Sequence, residues 1–191
     1  MFRLDNFLEA WAQKYRPLSH DPSAKSKHRT FYRIDRLGDS NEFSRNFNMA
    51  SSPCMAVPTN IDGGMGKNNK QVQYHHGLYF MVKQPTVGLS KTALQDDLTA
   101  AECKEQLDTL AQALLAYLYE QQTLAKNNNC TFDKETRIAL IGMDLDGAEW
   151  WTVPKMYNGW WVLGLEFDRI ESRHLCVNPA DYINDDSDSS D

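Results

Sequence analysis

The 191-residue chain contains no run of about 18 apolar residues, the span a helix needs to cross a bilayer, so no membrane-spanning helix is expected. Its first residues, Met1-Phe2-Arg3-Leu4-Asp5, lack an apolar stretch behind a basic start. No secretory signal is therefore expected, and the protein reads as one made in a cytoplasm. Cysteine is scarce and scattered. Cys54, Cys103, Cys130 and Cys176 form no C-x-x-C pair, and no histidines stand at ligand spacing beside them. Free thiols are expected, not a zinc site.

A basic excess is missing as well. The net charge is −6, and the segment Asn184 to Asp191 holds four aspartates; without them the body carries −2. Residues 184–191 read as a solvated, disordered acidic tail, and residues 1–183 as one domain. Lys25, Lys27, Arg29, Arg33 and Arg36 gather within residues 23–36, but the stretch is short. A base-reading nucleic-acid surface is not expected.

Signatures of catalysis are absent or incomplete. Gly66-Lys67 is followed by Asn68, and Ile61 stands where a phosphate loop needs its first glycine. His75 and His76 are neighbours, which in a strand point to opposite faces and cannot share a metal. Asp144-Leu145-Asp146-Gly147 lacks the further oxygen ligands of a calcium loop and reads more simply as a turn. Glu166 and Asp168 share one strand face, as paired carboxylates must for acid–base work on sugars, yet such pairs usually come from two elements across a cleft. No serine sits in a G-x-S-x-G elbow. The expectation is a protein that is not an enzyme and holds no cofactor or metal.

What is present is a pattern of elements. Leu4, Phe7, Leu8, Trp11 and Tyr15 share one face of a short N-terminal helix stopped by Pro17. A basic, strand-like segment runs from His28 to Ile34. Cys54-Met55-Ala56-Val57 reads as a short strand ended by Pro58. Asp62 to Lys70 reads as a flexible glycine-rich loop, and Gly77 to Lys83 as a strand. Residues 100–126 form the strongest helix, with Thr99 and Glu102 as a capping box and Cys103, Leu107, Leu110, Ala111, Leu114 and Leu118 on one face. The last third reads as a three-stranded meander: Thr136 to Leu145, Glu149 to Met156, and Trp160 to Ile170. Asp146-Gly147 and Asn158-Gly159 supply its tight turns. Pro154 places the middle strand at an edge or a bulge. A last extended piece is expected over Leu175 to Ile183. The fold class that follows is α+β, with a mixed, mostly antiparallel sheet, one long packed helix and a short N-terminal one.

Four tryptophans stand close together: Trp150-Trp151 and Trp160-Trp161 are expected to face each other across the Asn158-Gly159 turn. One of each pair should face the core and the other should face outward. An outward indole can anchor a protein partner or stack on a sugar, unless a helix or loop covers both faces. The candidate contact residues are Gly63, Gly64, Gly66 and Lys67 of the loop, with Trp151 and Trp160 of the meander.

In element order the chain resembles the tail terminator (tail completion) proteins of phages, prophages and contractile injection systems. The resemblance rests on Lys27-His28-Arg29-Thr30-Phe31-Tyr32-Arg33 after the first helix, Pro53-Cys54-Met55-Ala56-Val57-Pro58, Val153-Pro154-Lys155-Met156-Tyr157-Asn158-Gly159-Trp160, and the ending Cys176-Val177-Asn178-Pro179-Ala180-Asp181-Tyr182. It implies a structural virion protein of the tail or neck, assembled in a host cytoplasm as a ring, usually of six copies. Such a ring sits on the last ring of tail-tube protein, stops its polymerisation and meets the neck or head-completion protein. DNA passes through without specific binding, and no membrane is involved. Segment 60–73 is then a candidate arm to a neighbouring copy. A competing expectation is a small acidic binding module, such as an immunity protein that blocks a toxin.

Overall fold

Period-two burial along the strands and period-3.6 burial along the helices place two apolar layers on one sheet. The computed structural model describes residues 2–24, 28–34, 51–59, 62–65, 71–85, 93–127, 131–156 and 159–172. Helix α1 is Leu4–Lys14, α2 is Ala93–Lys126 and α3 is Lys134–Ile141. The strands are β1 (Phe31–Ile34), β2 (Cys54–Pro58), β3 (Asp62–Met65), β4 (Gln71–Lys83), β5 (Met143–Met156) and β6 (Trp160–Ser172). The fold is α+β with a mixed, mostly antiparallel sheet. Its order is β1-β2-β4-β6-β5, with β3 pairing on β4 beyond the end of β2. Among the described strands only β1 and β2 run parallel.

The helical layer covers one sheet face. Phe31, Met55, Val57, Leu78, Phe80, Val82, Leu163, Leu165 and Phe167 point into it. Opposite them stand Leu4, Leu8 and Trp11 of α1, and Leu107, Leu110, Leu114 and Leu118 of α2. Each fully buried leucine contributes about 2 kcal/mol of transfer free energy. The alternate residues Tyr32, Ile34, Cys54, Ala56, Met81, Trp160 and Val162 form a second buried cluster on the other face. Burial raises the Cys54 thiol pKa well above its usual range, which leaves it unreactive.

An ion cluster sets the position of α1. Arg33 of β1 donates through Nε to Asp5 Oδ2 (2.8 Å) and through Nη2 to Glu9 Oε2 (2.7 Å) and Asn6 Oδ1 (3.0 Å). Buried His20 accepts the backbone N–H groups of Thr30 and Phe31 at Nδ1, each at 3.2 Å, and its Nε2 lies 3.5 Å from Glu9. One helix face therefore meets the strand entry through charge and the other through packing.

Several expectations need correction. Thr136 to Ile141 is not a strand: α3 occupies Lys134–Ile141, and β5 starts only at Met143. Asp133 starts the helix by accepting Thr136 N–H at 2.9 Å, which satisfies one of its free first-turn donors. The C-terminal meander is the hairpin β5–β6. Asp146-Gly147 does not close a turn; the chain continues through it in β5, with a register shift between Asp144 and Glu149. The long helix begins at Ala93, so Thr99 lies inside it and accepts Gln84 Nε2 at 2.8 Å; Thr99 and Glu102 form no capping box. At 1.5 Å per residue its 34 residues span about 50 Å. Asp62–Met65 of the expected loop is strand β3, and β4 begins at Gln71, six residues before Gly77. Pro154 stands as expected: β5 is the edge among the described strands, and a second register shift falls between Val153 and Met156, where Lys155 has φ 53°. The expected piece Leu175 to Ile183 and the tail 184–191 lie outside the described residues.

Candidate functional site

Three rows of side chains cross β5, β6 and β4 on the sheet face away from the helices. Directly opposed residues in an antiparallel ladder share a face. The register aligns Asp144 with Asp168 and His75, Glu149 with Glu166 and Gly77, and Trp151 with Gly164 and Tyr79. Successive rows on β4 and β6 are two residues apart, about 7 Å.

The first two rows are acidic. Asp144 and Glu149 are exposed, and Glu166 and Asp168 are about one-third exposed. His75, half exposed, bridges the pair on β6. Its Nδ1 is 2.9 Å from Asp168 Oδ1 and its Nε2 is 3.3 Å from Glu166 Oε2. The hydrogen bond to Asp168 raises the His75 pKa, and the charge of Glu166 adds to it. In return, the His75 bond holds Asp168 below the usual carboxylate range, helped by Gln73 Nε2 at 2.6 Å. Such an arrangement can bind a positive group or pass a proton. Beside it is only a small cavity of about 20 Å³ that His75 and Gly77 line with Leu4, Asp5, Val57 and His76, and the wider cleft between the first turns of α1 and α3, lined by Phe2, Arg3, Asn6, Phe7, Asp133, Glu135 and Thr136, lies elsewhere. No cluster of metal-type ligands converges among the described residues.

The third row leads to the sheet edge. Trp151 is 42% exposed and Trp150, on the helix side of the same strand, 48%. Val153, one step beyond Trp151 on the same face, is also exposed. These residues are exposed at a rim where, among the described strands, β5 has a neighbour on one side only, β6.

The expected contact residues divide. Trp151 is on this exposed edge. Trp160 is not: it is 3% exposed, inside the second apolar cluster, and Lys83 Nζ lies 5.9 Å from its ring centroid. The two tryptophan pairs do not face each other, since Trp150 pairs with Leu165 and Trp151 with Gly164. Each pair was expected to send one indole inward; Trp150 and Trp151 both remain exposed, while Trp160 is buried and Trp161 partly so. Gly63 and Gly64 are exposed on β3, paired with Tyr74 and Gln73 of β4, on the opposite side of β4 from β6 and so apart from the tryptophan edge. Gly66 and Lys67 lie outside the described residues. Trp150 and the His75 bridge went unselected in the sequence. The alternation of Glu166 and Asp168 was visible, but their pairing with β4 was not.

Compared with known proteins, the chain matches no family model, no curated protein and no solved structure.

Proposed function

We propose that the chain is a structural virion protein, a tail terminator or neck component that forms a ring on the tail tube and joins the tail to the head. One observation carries this reading beyond element order: edge strand β5 presents Trp150, Trp151 and Val153 to solvent. Large apolar side chains on an unpaired edge favour contact with other polypeptide. The long α2 behind the sheet gives that edge a rigid support. Itself, the tube protein and a neck or head-completion protein are the proposed partners.

A second reading is favoured by the acidic rows. Asp144, Glu149, Glu166 and Asp168 on one face would suit an immunity protein that covers a basic toxin surface.

Imaging of particles that lack the protein tests the first reading. Tubes of uncontrolled length are expected, and tails of normal length would overturn it. A purified chain that stays monomeric and binds a toxin tightly would support the second reading instead.

A further inference from the structure

The sheet is electrically polar along its strands. At the end where β6 begins, exposed Lys83 and Arg29 stand over aromatic rings of the second cluster. Arg29 Cζ is 5.6 Å from the Tyr32 centroid and Lys83 Nζ is 5.9 Å from that of Trp160. Cation–π contacts of this kind hold a charge in place without neutralising it. Toward the other end of the same face lie Asp144, Glu149, Glu166 and Asp168, with His75 beside the last two. Exposed Trp151 and Val153 lie between the two poles, on the rim of β5.

We propose that this rim and its acidic rows receive the Arg29–Lys83 end of a second copy of the chain. The inference deepens the ring reading above and rests on it. Charge selects the geometry. A contact that laid the acidic rows of two copies on each other would bring four carboxylates against four, with the positive charge of two His75 rings at most, and would be repelled. A head-to-tail contact sets acid against base at each joint and places the Trp151–Val153 strip under the neighbour. Joints of that kind are heterologous, and they generate a closed ring when the rotation between copies divides the circle. The sheet then contributes both halves of the joint, so each copy uses its acidic rim once and its basic end once.

Sedimentation equilibrium on the full chain tests this. The wild type is expected to associate with concentration, and about tenfold more weakly in 500 mM salt than in 50 mM, because exposed charges are screened. Glu149→Lys and Arg29→Glu should each weaken association about tenfold, and the double variant should return to within about threefold of wild type. Lys83→Glu can replace Arg29→Glu, and thermal unfolding checks that each variant is folded. A wild type that is monomeric at every concentration and salt overturns the joint. So does a salt-insensitive dimer, or a folded double variant as weak as its parents. The ring reading is judged separately by tail length in particles: normal tails with an intact joint would remove the terminator role and leave the contact standing.

Discussion

The indole of Trp151 occupies the place of the side chain that Gly164 lacks. A Cβ built on Gly164 would lie 2.5 Å from Cζ2 and 2.7 Å from Cε2 of the ring. The two residues face each other across β5 and β6, so the glycine lets an edge aromatic lie against the sheet. Gly164→Ala is expected to push the indole off and to destabilise the fold by about 1–3 kcal/mol, as overpacking does. In a Trp151→Ala background the same change should be neutral or stabilise by up to about 1 kcal/mol, since alanine suits a strand better than glycine. Chemical denaturation of the four proteins measures the coupling. An equal cost in both backgrounds would show that the ring is not what excludes the methyl group.

His76, the neighbour of surface His75, points to the helical layer and is 4% exposed, with its ring 5.6 Å from that of Phe167. Its Nε2 has no hydrogen-bond partner among the described residues. Burial depresses its pKa from 6.5 to about 4, and the charge of Arg169 pushes the same way. The unfolded chain therefore takes up this proton near pH 6.5 and the folded one only near pH 4. Stability is full above pH 6.5 and falls as pH drops toward 4, by about 3 kcal/mol at 1.36 kcal/mol per pH unit. His76→Phe should flatten that part of the acid limb in denaturant midpoints taken across pH. His20, also lowered by burial, leaves a smaller slope of the same sign, whereas His75, raised by Asp168, acts in the opposite sense. An unchanged slope in the variant would contradict this account.

Where one local signal decided the conformation, the fold could be read from the chain. The i, i+3, i+4 spacing of Leu4, Leu8 and Trp11 placed α1, and the buried stripe from Cys103 to Leu118 is the one its spacing requires. Gly159 has the positive φ (85°) that the second turn demanded. Misreadings arose where two local signals competed. Thr136, Ile138 and Ile141 are β-branched and look like strand, yet Asp133 three residues before Thr136 is a cap, and the cap together with burial of Ala139 and Leu140 prevails. Asp146-Gly147 looks like a turn, but Asp144 Oδ1 accepts Gly147 N–H at 3.1 Å and bends the strand without reversing it. The candidate site was harder still. Whether Trp151 or Trp160 meets water depends on strand order, because an edge strand exposes what an inner strand covers. Strand order is set by contacts distant in sequence, which no short window contains.

Gln122 ties α3 to the long α2. It is buried on α2, and its Nε2 donates to Leu140 O at 3.0 Å and Met143 O at 2.8 Å. One side-chain amide thus satisfies two carbonyls at the exit of α3, where a helix runs out of its own donors. Gln122→Leu keeps much of the volume but leaves both carbonyls buried without these donors, at about 1–3 kcal/mol for each unsatisfied group. A total loss of about 2–6 kcal/mol is expected, with an unchanged denaturant slope. Faster amide exchange should be confined at first to α3 and the start of β5, because those are the elements the amide joins. Gln122→Glu should be worse at neutral pH than at pH 4, since a carboxylate repels both carbonyl oxygens and only its protonated form can donate to one. If Gln122→Leu unfolded at the wild-type midpoint, α3 would have to be held by Asp133, by Arg137 Nε on Ala125 O (2.8 Å) and by the packing of Leu140, and its helical form would owe nothing to α2's amide.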